Sequence, residues 1–251
     1  FGSFDNFEAV SKVAKKHNVW FHIDGLWGGN VVFSPKHAHK VKGAELADSI
    51  TVNPHKMLGV PTTCSFLLLP HVGDFRKSMS LAAPYLFHND AEEKAEEQDE
   101  ENYDLADGTM GCGRRADSFK FYMAWLYYGE KGFADRVTHA FDITQHFVEK
   151  ISKQKGFSLV VENPQCLQVC FYYKPVGFDN LESYTEVTRY ISKRLHAEGK
   201  YLVDFSPNPA SDDKRGEFFR VVFNSPILTN EVVDHLIESI ISVGEGYKEG
   251  K

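Results

Sequence analysis

The chain has 251 residues and a net charge of −7, with 42% hydrophobic and 25% charged residues. That balance is ordinary for a soluble globular protein with one large core or two modest ones, and it offers no basic surface for nucleic acid. No apolar run approaches the ~20 residues of a membrane span. From the N-terminus, Phe4-Asp5-Asn6-Phe7 opens a helix, with Asp5 as its cap and Phe7, Val10, Val13 and Ala14 repeating at helical spacing. Lys12, Lys15 and Lys16 face water, and Asn18 closes the element. Val19-Trp20-Phe21-His22-Ile23-Asp24 is an apolar run ending in a carboxylate, the pattern of a parallel strand covered on both faces. Helix and strand make half of an α/β repeat.

Gly25-Leu26-Trp27-Gly28-Gly29 follows, where the paired glycines permit tight backbone. His37-Ala38-His39 has the spacing of a metal pair but no third ligand near it, so it reads as surface histidines on a short helix, and no metal is expected. Ser49-Ile50-Thr51-Val52 reads as a short buried strand, and Asn53-Pro54-His55-Lys56 as the turn that ends its ladder and presents a lysine. A lysine at the mouth of a buried strand needs a task or a partner. Ligands of open α/β sheets sit beyond the carboxyl ends of the strands, which puts Asp24 and Lys56 on one edge. Taken singly, an Asp after a strand is a cap or turn former and a Lys is solvated. Together, in this order, they match what pyridoxal phosphate (PLP) uses. The lysine forms a Schiff base with its aldehyde, and the acid keeps its ring nitrogen protonated so that the ring accepts electrons.

Thr62-Thr63-Cys64-Ser65-Phe66-Leu67-Leu68-Leu69 reads as a further buried strand ended by Pro70. Residues 70–113 are the least regular stretch. Ala83-Pro84-Tyr85-Leu86-Phe87 is an apolar island with the make-up of a lid, and residues 90–101 are an acidic, solvated run. A helix through about Tyr128 carries Phe119, Tyr122, Met123, Leu126 and Tyr127 on one face, and a second spans about Phe133–Lys153, with Gly156 after it. A boundary near Gly129–Gly132 divides residues 1–130 from a small α/β unit, 131–251. Strands are expected there at Phe157–Val161, Gln165–Tyr173, Tyr201–Phe205 and Glu217–Asn224, and helices at Leu181–Ala197 and Thr229–Val243, the latter capped by Thr229. Residues 207–216 form a polar loop. Arg220 interrupts a strand otherwise built for burial. It either snorkels from an edge strand or captures a substrate carboxylate with its planar guanidinium. Cys64, Cys112, Cys166 and Cys170 show no metal-type pairing and read as free thiols of a reducing, cytoplasmic setting.

Phe21-His22-Ile23-Asp24-Gly25-Leu26-Trp27-Gly28-Gly29 and Asn53-Pro54-His55-Lys56 resemble the group II PLP-dependent decarboxylases, which include glutamate, cysteine sulfinate and aromatic amino acid decarboxylases. Gly111-Cys112-Gly113-Arg114-Arg115 and Phe218-Phe219-Arg220-Val221-Val222 are similar to the glutamate and cysteine sulfinate branches, whereas the acidic run looks like an insertion. The resemblance covers nearly the whole chain. It implies the α/β fold type I of PLP-dependent transferases, with the chain as the C-terminal half of a subunit. Residues 1–130 then end the large cofactor domain, with a mobile loop at about 80–108, and 131–251 form the small domain. It also implies that Lys56 binds PLP, that Asp24 pairs with the ring nitrogen, and that Asn53 and His55 contact the phosphate or orient Lys56. Tyr85 would return a proton to the carbon that loses its carboxylate, and Arg220 would contact substrate. A homodimer with a shared active site follows from the same resemblance. The family has two alanines after the strand Asp, the second packing on the ring. Here they are Gly25 and Leu26, so Leu26 takes the ring-packing place and needs the backbone to move into space left by Gly25. The activity implied is decarboxylation of an acidic amino acid, glutamate first and cysteine sulfinate or aspartate next. An aromatic amino acid decarboxylase and a non-catalytic fold relative are the further alternatives.

Overall fold

The computed structural model describes residues 1–71, 73–79, 113–178, 183–208 and 214–248. Tyr85, the apolar island, the acidic run, Cys112 and the whole of the expected loop at 80–108 lie outside the described residues. Helix α1 (Phe7–Lys16) is capped by Asn6, not Asp5: the Asn6 side chain accepts a hydrogen bond from the Ala9 N–H at 3.0 Å. Asp5 lies one position too early to reach that donor. Strand β1 is only His22–Gly25, and its burial alternates, with Ile23 inward and His22 and Asp24 outward. Val19 and Trp20 are exposed, so the expected strand covered on both faces is covered on one among the described residues.

β2 (Ser49–Val52) pairs parallel to β1, joining His22 with Ser49, Ile23 with Ile50, Asp24 with Thr51 and Gly25 with Val52. Only Ser49 of β2 is fully buried. β3 (Phe66–Leu68) runs antiparallel on the other side of β2 and is shorter than the apolar run predicts, with Leu67 and Leu68 exposed. The turn after β2 is a helical turn, α2 (Pro54–Met57), with Pro54 at its first position, where the missing N–H costs nothing. The crossover from β1 to β2 is made of three short 3₁₀ helices, Gly28–Phe33, Ala38–Val41 and Ala44–Leu46. A short helix, α3 (Gly73–Met79), follows β3.

The two expected helices meet end to end in α4 (Asp117–Ile151), and Gly129, with φ 61° and ψ −176°, is the non-helical residue that separates them. Positive φ suits glycine, so the kink falls where the sequence allows it. Past the kink, Val137, Ile143, Phe147 and Ile151 are buried as their spacing predicts. Before it, the face bearing Phe119, Tyr122, Met123, Leu126 and Tyr127 is exposed, and Phe121 and Trp125 pack against Phe133 instead. α4 also supports the crossover. Ser34 and Thr138 share a hydrogen bond at 2.8 Å, Lys36 pairs with Asp142 at 2.7 Å, and the His37 ring stacks on Phe141 at 3.9 Å. His37 is therefore buried rather than a surface histidine. Burial, followed by the charges of Lys36 and Lys40, pushes its imidazole below the usual value.

The second sheet has the order β4 (Phe157–Leu159), β5 (Gln168–Tyr173), β7 (Phe218–Val222), β6 (Asp204–Ser206), all antiparallel. β6 starts three residues later than expected, and Leu202 is exposed. α5 (Thr185–Ala197) and α6 (Asn230–Glu245) cover this sheet, and Thr229 caps α6 by accepting from the Val232 N–H. The largest core lies here: Phe147 meets Phe171 and Phe223, and Val187, Ile191, Leu195 and Ile240 are completely buried. Each such side chain contributes roughly 1.5–3 kcal/mol. A second core joins Val31, Met57, Leu58 and Cys64 to Phe133, Val137, Cys166 and Leu167, so α4 takes part in both.

Between α4 and α6, Asp234 accepts from His146 Nε2 at 2.8 Å and from Lys150 Nζ at 3.0 Å. Lys150, and then His146, hold its carboxyl below the ordinary aspartate value. A carboxyl lowered on folding stabilises the fold above its unfolded pKa, and that stabilisation fades as pH falls through the folded value. Asp234→Asn should therefore lower the thermal midpoint at pH 7, and the gap to the native protein should narrow as pH falls below ~4. A gap that widened on acidification would show that the carboxylate is not the stabilising form.

Candidate active site

The parallel register of β1 and β2 places Asp24 near the end of one strand and Lys56 in the helical turn after the other. Both line a groove of about 1550 Å³ that also receives Leu26, Trp27, His22, Gln168 and Arg220. Asp24 Oδ1 accepts the Leu26 N–H at 3.2 Å, which folds the chain back after the strand. Lys56 has no carboxylate partner among the described residues; its Nζ lies 5.5 Å from the Trp27 ring centroid, within cation–π range. Arg220 is exposed into the groove from β7, which lies inside its sheet between β5 and β6 and not at an edge.

Asn53 and His55 lie behind the lining. Asn53 is buried, and its Oδ1 has no hydrogen-bond partner among the described residues. Turned over, the same amide presents Nδ2, a donor suited to an anion at the start of α2. His55 Nδ1 lies 2.6 Å from the Cys64 carbonyl oxygen, to which it donates when it carries the ring hydrogen, and 3.1 Å from the Cys64 N–H, from which it accepts when it does not. His55 thus ties the lysine turn to the segment before β3. Burial pushes the Cys64 thiol above its usual value, and Cys64, Cys166 and Cys170 are buried free thiols.

Three groups escaped the sequence reading. Asn224 Nδ2 donates to the Lys56 carbonyl at 2.9 Å, linking the end of β7 to the lysine turn across 168 residues. Its only signal was its place four residues after Arg220. Trp27 and Gln168 also face the groove, and Gln168 Oε1 is buried with no partner among the described residues. A lysine without a carboxylate partner, a carboxylate on the same edge and a buried amide oxygen without a partner, all among the described residues, with a guanidinium in the same groove, suit a phosphorylated aldehyde with a basic ring nitrogen.

Known proteins of this architecture carry that chemistry. The chain overlays mouse CSAD with a TM-score of 0.83 at 30% identity, covering 98% of this chain and 50% of that one. It overlays Oryza sativa TDC with a TM-score of 0.80 at 24% identity, a likeness of fold, covering 97% of this chain and 48% of that one. Residues 1–174 match the pyridoxal-dependent decarboxylase conserved domain, and the chain belongs to that family, whose cofactor is pyridoxal phosphate. An L-aspartate decarboxylase of Metarhizium robertsii is 44% identical over 97% of this chain and 46% of its own length. An acidic amino acid decarboxylase of Mus musculus is 34% identical over 97% of this chain and 44% of its own. The chain spans about half the length of these curated relatives.

The space beside Gly25 is not free. A Cβ there would lie 2.9 Å from the Thr51 carbonyl oxygen and 3.3 Å from Gly29 Cα, both backbone atoms that cannot swing away. The room expected for a backbone shift is thus already filled by β2. Gly25→Ala should cost about 1–3 kcal/mol of stability by forcing β1 from β2. Denaturant unfolding checks this, and an unchanged midpoint would mean that the two strands yield freely.

Proposed function

We propose that the protein is a PLP-dependent decarboxylase that removes the α-carboxylate of an acidic L-amino acid. The observation that carries this reading is the placing of Asp24 and Lys56 on one sheet edge, in a groove that also receives Arg220. Lys56 holds the cofactor through its amine, and Asp24 keeps a proton on the ring nitrogen. When bound, the cofactor supplies an electron sink for the pair left behind as the carboxylate departs as carbon dioxide. Asn53 donates to its phosphate, while His55 steadies the lysine turn from the Cys64 side. Leu26, next to Asp24, lines the same groove and narrows the room beside the ring. Arg220 binds the side-chain carboxylate of the substrate with its planar, permanently charged fork. Tyr85, outside the described residues, returns the proton to the substrate carbon.

The sequence reading puts glutamate first, whereas a relative at 44% identity is named an L-aspartate decarboxylase and brings aspartate level with it. The two substrates differ by one methylene, which a pocket resolves by only about 1–3 kcal/mol, so both are taken as substrates. Gly129 supports a division into 1–130 and 131–251, since the one irregularity of α4 falls there. The exposed apolar face of α4 supports a homodimer with a shared site, and the buried free thiols support a reducing cytoplasm.

Release of carbon dioxide by the full-length protein, measured with carboxyl-labelled aspartate, glutamate, cysteine sulfinate and dihydroxyphenylalanine, tests the reading. The acidic substrates should lead, borohydride should fix the cofactor on Lys56, and Lys56→Ala should abolish turnover. Preference for the aromatic substrate would overturn the substrate class, and label on another lysine would overturn the site. Arg220→Met should reduce kcat/KM for the acidic substrates by ~30-fold to 150-fold, the scale of a lost charge-assisted pair. Equal losses for acidic and aromatic substrates would assign Arg220 to the fold instead.

A further inference from the structure

The outward face of β1 and β2 carries a hydrogen-bonded string that the reading above leaves unused. Trp20 Nε1 lies 2.8 Å from Ser49 Oγ, Ser49 Oγ lies 2.7 Å from His22 Nδ1, and His22 Nε2 lies 3.4 Å from Thr51 Oγ1. The direction of these bonds follows from donor inventory. An indole N–H can only donate, so Ser49 accepts from Trp20. Ser49 is buried and has no other side-chain partner among the described residues, so its single hydroxyl hydrogen goes to His22 Nδ1. A neutral imidazole that accepts at Nδ1 carries its hydrogen on Nε2, and that hydrogen points to Thr51. Thr51 accepts it and keeps its own hydrogen unspent.

Asp24 is the next acceptor on this face. It is two residues beyond His22 on β1 and is the cross-strand partner of Thr51, so all three side chains share one face. One carboxylate oxygen of Asp24 takes the Leu26 N–H, and the other has no partner among the described residues. We propose that His22 is a positioning residue for Asp24: locked as the Nε2–H tautomer by Ser49, it orients Thr51 so that the threonine hydroxyl donates to the free Asp24 oxygen through one water. The carboxylate is thereby held on two sides, by the Leu26 N–H and by Thr51, with its open edge toward the groove. This inference rests on the reading of Asp24 as the partner of the cofactor ring nitrogen.

Two measurements on the full-length protein test it. Nitrogen NMR of histidine-labelled protein should show His22 protonated at Nε2 and bare at Nδ1; the opposite tautomer overturns the string at its first link. Cofactor affinity, read by absorbance titration of stripped protein, gives the second. Thr51→Val and His22→Leu should each weaken binding about 10-fold, the low end for a lost hydrogen bond to a charged group. His22→Gln, whose amide nitrogen reaches the place of Nε2, should recover most of that loss. In an Asp24→Asn background, His22→Leu should have no further effect. Equal loss in His22→Gln and His22→Leu, or full additivity with Asp24→Asn, would reduce His22 to a packing role. If Asp24→Asn binds the cofactor normally, the reading of Asp24 fails and the proposal fails with it. If Asp24→Asn is impaired and His22→Leu is not, only the proposal fails.

Discussion

The parallel register of β1 on β2 is the constraint on which the site depends. It joins Asp24 to Thr51, and it sends the chain out of β2 into the turn that carries Lys56. A slip of one residue would turn Asp24 to the buried face and Ile23 to the exposed one. Two features hold the register at its ends. At the entry, Phe21 exchanges hydrogen bonds with Asp48, whose carboxylate accepts the Phe21 N–H at 2.7 Å and whose own N–H donates to the Phe21 carbonyl at 2.9 Å. At the exit, the fit of Gly25 against the Thr51 carbonyl leaves no room for a side chain.

Much of the fold was legible where local chemistry decides it. Thr229 announces α6 because a hydroxyl before an amphipathic run has one good use, and Gly129 marks a break because positive φ excludes most other residues. The errors share a different cause. Val13 on α1 and Leu126 on α4 have the spacing of buried residues yet are exposed. Periodicity tells which face of a helix is apolar and says nothing of what covers it. His37 errs in the opposite sense: a polar residue was placed at the surface, but Phe141, far away in sequence, stacks on it. Asp5 failed by a single position, because two adjacent residues of similar capping power compete and only backbone geometry selects Asn6.

For the candidate site, residue type and strand-end position sufficed to single out Asp24, Lys56 and Arg220, which line one groove, since a charge placed at or within a buried strand is conspicuous. Asn224 and the Ser49–His22 pair were not legible. Their importance lies in bonds between segments, and neutral polar residues near strand ends are too common to stand out. Asn224 also changes how the two sheets relate. The strand that presents the guanidinium is hydrogen-bonded, a few residues on, to the backbone of the lysine itself, so the groove's two sides are joined by more than packing.

The crossover between β1 and β2 has a bearing on how the chain assembles. It contains no helix able to stand alone, only three 3₁₀ segments of six residues or fewer, and it leans on α4 through Ser34, Lys36 and His37. The first two of those contacts span 104 and 106 residues. Closing loops of that length costs entropy before any contact repays it. The crossover that sets Asp24 and Lys56 relative to each other is therefore braced from outside, by a helix that follows both of them in the chain. Thr138 and Phe141 on that helix are thus part of the frame of the groove although neither lines it.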